Sequence, residues 1–382
     1  MSDTPFGISL RFALFYGALF FVLGVLLPFW PIWLESRGLS AVNIGIILAV
    51  GPWMRVLVDP VIAKAADHAG AGRRMLVLAA LVSLVAFTGF ALVSSFWNAL
   101  LIMLVFAPAY HALIPLGDSQ AMTAVQRHGL DYGRLRLWGS ITFIVGTLGI
   151  GALLTGRDPD LILVVVGLGL VVVLATTLLL REQNETRGHA RWADVLSFVR
   201  DPRFLVFVLA ASAVQASHAV LNGFSGIHWK AAGHSELVVG LLWGGSVMVE
   251  VVLFAFSGAV VLRIGASRLL VLGAGAALVR WLILAQTTAL PGLAAAQLLH
   301  AVTFGATYLA TMHFIAGHAP EGLKATAQGA YAAVSGVVMG ITLIVAGKLY
   351  ELFAGGAFFG MAVLSAGALL LALAVMYRAA RD

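Results

Sequence analysis

Few residues in this chain could do chemistry. Glu250 stands alone in "GGSVMVEVVLFAF" (244–256), a run with no other charge, and Arg280 and His300 lie in similarly apolar surroundings. A carboxylate near an arginine and walled by apolar groups can change protonation when its partner moves, as a proton-coupling site requires. The other reading is a fixed ion pair locking helices together. Buried ion pairs are weak sources of stability, which favours the coupling reading. Asp118 follows Pro115 by one helical turn in "PLGDSQAM", and "DYGRLRLWGS" brings Arg134 and Arg136 in beside Trp138. An Asp118–Arg136 pair walled by the Trp138 ring could open to take a ligand's carboxylate or hydroxyls. Arg134 reads instead as a positive anchor at the membrane face. Arg55 and Asp59 in "GPWMRVLVDP" are spaced to pair on one helix face. If Asp59 is engaged elsewhere, Arg55 becomes an anion receptor. Gln215, His218 and Asn222 in "QASHAVLNGF" share a broad helix face, suited either to a polar pore wall or to bonding between helices.

Other chemistries are excluded. The chain has no cysteine, so disulfides and thiolate catalysis are out of reach. No His, Asp and Glu set has metal-ligand spacing, and no metal or cofactor is expected. An enzyme would cluster a nucleophile with its base at one interface, whereas these charges scatter over many segments. No enzymatic activity is expected.

The elements that must position these residues are membrane helices. Hydrophobic residues make up 61% of the 382 and charged residues 10%, far from the roughly 45–50% and 25% of soluble domains. A bilayer core needs roughly 20 apolar residues per helix. Twelve windows meet that length, from 10–34 to 357–377, and the first is too long for a signal-peptide core. The expected fold is an all-α membrane protein of twelve transmembrane helices in two pseudo-symmetric six-helix bundles. The N-terminal bundle covers 1–180, a cytoplasmic loop 181–203, and the C-terminal bundle 204–382. Arginine and lysine crowd the N-terminal side and every even-to-odd connection, while the opposite connections hold only Arg37, Arg157, Lys230 and Lys348. Both termini are therefore expected in the cytoplasm. This asymmetry accounts for the net charge of +6 without a nucleic-acid partner. The segments "AGAGRRMLVLAA" (69–80) and "RIGASRLLVLGA" (263–274) align at an offset of 194 residues, each between the second and third spans of its half. Two parallel six-span halves place a ligand site near the bilayer midplane.

Two sets of residues carry a family resemblance. "KAADHAGAGRR" (64–74) resembles the loop signature of the major facilitator superfamily, with Ala63 and His68 as departures. The resemblance implies a charge relay of Asp67, Arg73 and Arg74 that gates the cytoplasmic side. "DYGRLRLWGS", "VQASHAVLNGFSGIHWKAAGHSELVVGLLW" and "VEVVLFAFS" are similar to the bacterial 3-phenylpropionate transporter family, a relative of the lactose permease group, along most of the chain. In that wider group Asp118 matches a fourth-span carboxylate and Arg136 its partner, a pair implicated in substrate binding. Glu250, Arg280 and His300 match the eighth-, ninth- and tenth-span residues. Thr303 stands where lactose permease has its proton-carrying glutamate, so Glu250, and after it Asp118, become the candidates for that role.

The expected protein is a bacterial inner-membrane symporter, coupled to protons, that carries a small aromatic carboxylate by rocking of its two halves. It needs lipid, substrate and protons, and works as a monomer. A sugar or nucleoside symporter, or an exporter of amphipathic compounds, are the alternatives.

Overall fold

The computed structural model describes residues 4–69, 72–182, 200–320 and 323–379, without the side chains of 59–69, 325 and 378–379. The described residues are helical almost throughout, and their contacts form two units. One unit comprises residues 1–187 and 233–244, the other 188–232 and 245–382.

The first unit holds α1 (Pro5–Ser36), α2 (Ala41–Ala69), α3 (Gly72–Thr88), α4 (Phe96–His128), α5 (Tyr132–Leu154) and α6 (Leu161–Leu179). Their ends follow ordinary capping chemistry. Ser95 and Asp131 accept from the amides of Asn98 and Arg134, and Gly129 ends α4 at φ 62°. α1 and α5 approach at two glycines, each against the other's backbone. A Cβ on Gly24 would overlap the Phe143 carbonyl, and one on Gly146 would stand 2.7 Å from the Phe21 oxygen. In lipid, where helices gain little from further apolar burial, such close backbone packing holds a pair together.

The second unit holds α7 (Pro202–Ala216), α8 (Ala219–Ala231), α10 (Ser257–Ile264), α11 (Ala266–Gln286), α12 (Leu290–Leu298), α13 (Thr307–His318), α14 (Lys324–Phe353) and α15 (Ala357–Ala379). Its core joins Phe204 and Phe207 of α7, Leu269 and Leu270 of α11, Phe314 of α13, Tyr331 of α14 and Ala372 of α15. Phe207 and Phe314 stack at 3.8 Å. The intervening α9 (Glu236–Ala255) is shared, because its residues up to Gly244 belong to the first unit. Gly151 of α5 lies so near Glu236 that a Cβ would come within 2.6 Å of its carbonyl oxygen.

Eleven stretches of the described residues are long and apolar enough to cross a membrane. The last, Thr326–Tyr377, has 52 residues, which as a single helix would span about 78 Å against a core of about 30 Å. It is two helices, α14 and α15, divided at Ala354–Gly356. The expected twelve spans are thereby accounted for.

Candidate functional site

Among the described residues, the candidate side chains gather in two polar clusters within the apolar helices, one in each unit. The cluster of the second unit is built where two spans depart from regular helix. Between α7 and α8 the Ser217 hydroxyl donates to the Val214 carbonyl at 2.7 Å, and His218 Nδ1 lies 3.1 and 3.2 Å from the Val214 and Gln215 carbonyls. Side chains thus compete for acceptors that regular helix gives to amides, and the helix breaks. Between α12 and α13, residues Ala301–Ala306 form a π-helical turn. The Phe304 carbonyl in this turn accepts from the Thr307 amide and also from Gln215 Nε2 at 3.4 Å.

At the centre is Arg280 of α11, fully buried. Its Nη1 lies 3.2 Å from His300 Nδ1 and 2.9 Å from Thr303 Oγ1, and its Nη2 donates to Gln297 Oε1 at 2.5 Å. On the far side of the imidazole, His300 Nε2 lies 3.2 Å from Glu250 Oε2. An arginine has only donors, so His300 Nδ1 must accept and its proton must sit on Nε2, facing the carboxylate. Side-chain exposure rises from 9% at His300 to 15% at Glu250, while Arg280 is at 0%. The carboxylate is the open end of an arginine–histidine–glutamate chain. The Phe304 ring stacks on His300 at 5.3 Å.

In the first unit, Asp118 of α4 accepts from the Tyr16 hydroxyl at 2.6 Å and from that of Tyr132 at 2.9 Å. Tyr16 and Phe20 are one turn apart on α1, as are Tyr132 and Arg136 on α5, so the two pairs form a ladder. The Arg136 guanidinium lies 3.7 Å from the Phe20 ring centroid and 5.4 Å from that of Tyr16. Gly139 leaves room for both, since a Cβ there would come 2.9 Å from Arg136 Nη1 and 3.0 Å from Phe20. Arg136 makes no hydrogen bond or ion pair among the described residues.

Several expectations are refined by this geometry. Glu250, His300 and Arg280 do come together, with the histidine in the middle. The direct Asp118–Arg136 ion pair does not form, because tyrosine hydroxyls hold the acid and aromatic faces hold the arginine. Trp138, two residues past Arg136, points around the helix into a different space, an apolar groove of about 1150 Å³ with Leu10, Leu14 and Leu168. It does not wall the Asp118 cluster. Gln215 and His218 join the second cluster, whereas Asn222, a turn farther on, makes no side-chain hydrogen bond among the described residues. Arg55 is exposed on α2, and the pairing expected with Asp59 lies outside the described side chains. Asp67 lies outside them too. Of its supposed relay partners, Arg74 is exposed, and Arg73 donates to the Leu178 carbonyl at 2.9 Å. The Arg73 amide donates to Glu182, which caps the start of α3. Sequence reasoning missed Glu182, Gln297, Tyr16, Phe20 and Tyr132. The four-residue spacing of Tyr132 and Arg136 was the available signal for the last.

The family model described as MFS_1 like family matches residues 9–361. A relative from Escherichia coli strain K12 named "Probable 3-phenylpropionic acid transporter" is 37% identical over 371 residues, 94% of this chain and 96% of its own. The maltose permease of Geobacillus stearothermophilus is 27% identical, over 97% of this chain and 96% of its own. Among solved structures, the nucleoside transporter NupG superposes with a TM-score of 0.84 at 16% identity, over 97% of this chain and 98% of its own. That likeness concerns the fold.

Proposed function

The chain belongs to the MFS_1 like family, a family of multi-pass secondary transporters, and from that premise we propose that it is a proton-coupled symporter of a small aromatic carboxylate such as 3-phenylpropionate. The observation that carries the substrate reading is Arg136. Five N–H donors in a planar fork suit a carboxylate bound by two parallel hydrogen bonds. The guanidinium is held against Phe20 and Tyr16, so little side-chain freedom is lost when a ligand binds. The name of the 37% identical relative supports the same substrate class.

Coupling is assigned to Glu250. As a carboxylate it completes the chain from Arg280 through His300; when it takes up a proton its charge is lost and the pull on the imidazole weakens. Substrate and proton enter together, and each is released on the cytoplasmic side. On this reading the protein lies in the bacterial inner membrane with both termini cytoplasmic and works as a monomer.

A sugar is the second reading, favoured by the maltose permease relative and by Asp118, whose hydroxyl partners could exchange for those of a ligand. Purified protein in liposomes enclosing a pH-sensitive dye separates the two. Adding 3-phenylpropionate should acidify the interior faster than in empty liposomes, which report passive entry of the protonated acid. Glu250→Gln should remove the excess rate. Uptake of maltose but not of 3-phenylpropionate would sink the carboxylate reading.

A further inference from the structure

The second unit buries two histidines beside Arg280, and the coupling reading leaves their roles undivided. We propose that His300 alone exchanges its hydrogen-bonding state with Glu250, and that His218 is a positioning residue which, through Thr303, fixes the Arg280 fork against His300. This inference rests on the proposed proton coupling.

The assignment follows from which atoms can donate. Thr303 Oγ1 receives an N–H of Arg280 at 2.9 Å, so its own hydrogen must go elsewhere. The choices are His218 Nε2 at 3.1 Å and the His300 carbonyl at 3.3 Å. His218 Nδ1 faces the carbonyls of Val214 and Gln215, which only accept, so Nδ1 carries the ring hydrogen and Nε2 offers a lone pair. Thr303 therefore donates to His218. The arm runs Arg280 to Thr303 to His218 to backbone carbonyl, and it ends on an acceptor that cannot titrate. The arm through His300 ends on a carboxylate that can.

The surroundings of the two rings differ in the same sense. His218 is faced by Arg280 and by the Trp281 edge from α11, and by His300, Thr303 and Phe304 from the tenth span. No acid is among these neighbours. A proton added at Nε2 would meet the Thr303 hydroxyl, force it to turn, and set a second positive charge beside Arg280. His300 has Glu250 at its outer nitrogen. Position in the fold gives His218 its leverage. It stands at the break between α7 and α8, where the neighbouring Ser217 accepts from Trp281 Nε1 at 2.9 Å, and Thr303 stands in the π-helical turn. One hydrogen bond thus ties two irregular turns to the arginine.

The test compares conservative and non-conservative variants in liposomes. His218→Leu and Thr303→Val should lower 3-phenylpropionate-driven proton uptake about tenfold, the order expected for losing one hydrogen bond to a charged network. They should also shift the pH profile of substrate exchange, because Arg280 is then free to leave His300. His218→Gln, whose amide oxygen can accept from Thr303, and Thr303→Ser should restore both rate and profile. His300→Gln should not support proton uptake. Nitrogen NMR of labelled histidines reads the tautomers directly. His218 should carry its hydrogen on Nδ1 with and without Glu250→Gln, while the His300 signals should move in that variant. A His218 ring with its hydrogen on Nε2, or His218→Gln failing as His300→Gln fails, would overturn the inference. If the native protein shows no substrate-driven proton uptake, the coupling reading falls instead, and the tautomers still decide the role of His218. The glutamine and serine variants keep the test open should the apolar ones not fold.

Discussion

The two units each hold an arginine and an acid among apolar helices, and treat them in opposite ways. In the second unit both terminal nitrogens of the arginine have specified partners, while its Nε has none among the described residues. Arg280 uses His300, Thr303 and Gln297, and the His300 imidazole stands between it and Glu250. In the first unit the charges are kept apart from one another, the acid satisfied by neutral hydroxyls and the arginine by ring faces. An arginine whose two terminal nitrogens are both engaged is a fixed part of the protein, and an arginine held only by aromatic rings keeps its fork for a ligand. On the proposed function, this contrast divides the work, with proton handling in the second unit and substrate binding in the first.

The hardest way to break that assignment is to remove each centre and ask what is lost. Arg136→Ala should abolish both uptake and substrate exchange, a loss on the order of a hundredfold or more, because truncating one partner of a buried charged pair costs about 2–5 kcal/mol. Glu250→Gln should abolish concentrative uptake while exchange of labelled for unlabelled substrate continues, since exchange needs no net proton movement. Exchange assays run on both variants decide it. If Arg136→Ala exchanges normally and Glu250→Gln does not, the roles are reversed.

Stability sharpens the same contrast. Arg280→Met leaves His300, Thr303 and Gln297 without their donor and Glu250 without its counter-charge, and should destabilise the protein by about 3–5 kcal/mol. Arg136→Met removes no hydrogen bond among the described residues and keeps the apolar contact with Phe20, so thermal unfolding in detergent should change far less. Equal losses in the two variants would mean that Arg136 has a structural partner of its own.

Within the first unit the two tyrosines can be ranked. Tyr16→Phe and Tyr132→Phe each remove a hydrogen bond to a carboxylate, worth roughly 1.5–3 kcal/mol. Tyr16 is fully buried and Tyr132 is not, so water can replace the second hydroxyl but not the first. Tyr16→Phe should therefore lower the unfolding midpoint more. The reverse order would place water beside Tyr16.

How much of this the sequence shows depends on the kind of interaction. Glu250, Arg280 and His300 are legible because an ionisable group in an apolar run has few reasons to be there. The twelve spans are legible for the same cause, since apolar length is a local property. The order within the chain, with His300 between arginine and acid, is not local, because it depends on how α9, α11 and the π-helical turn are rotated about their axes. Tyr16 and Phe20 escape notice because aromatic residues are common in membrane helices, and nothing in "RFALFYGALFF" marks two of them as a cradle. Trp138 lies apart from the Asp118 cluster for a geometric reason. Two residues along a helix turn a side chain about 200°, so it does not share the side of the helix on which Arg136 meets Phe20 and Tyr16.

The smallest effect expected lies far from either cluster, in the turn that makes two spans out of 52 residues. Ala354 has φ 47° and ψ −122°, close to the first central position of a type II′ turn, where glycine is the residue of choice. A methyl side chain is strained there, and one on Gly355 would stand 2.6 Å from His228 Nε2, so that the ring would have to shift. Ala354→Gly should therefore stabilise the second unit by up to about 1 kcal/mol, with relief of the positive φ outweighing the added freedom of the unfolded chain. Gly355→Ala should destabilise it and disturb His228. Both are measured as shifts in thermal unfolding, with substrate exchange unchanged in Ala354→Gly. A lower midpoint for that variant would mean that the turn relaxes to a conformation alanine accepts, and the division between α14 and α15 would then rest on their packing alone.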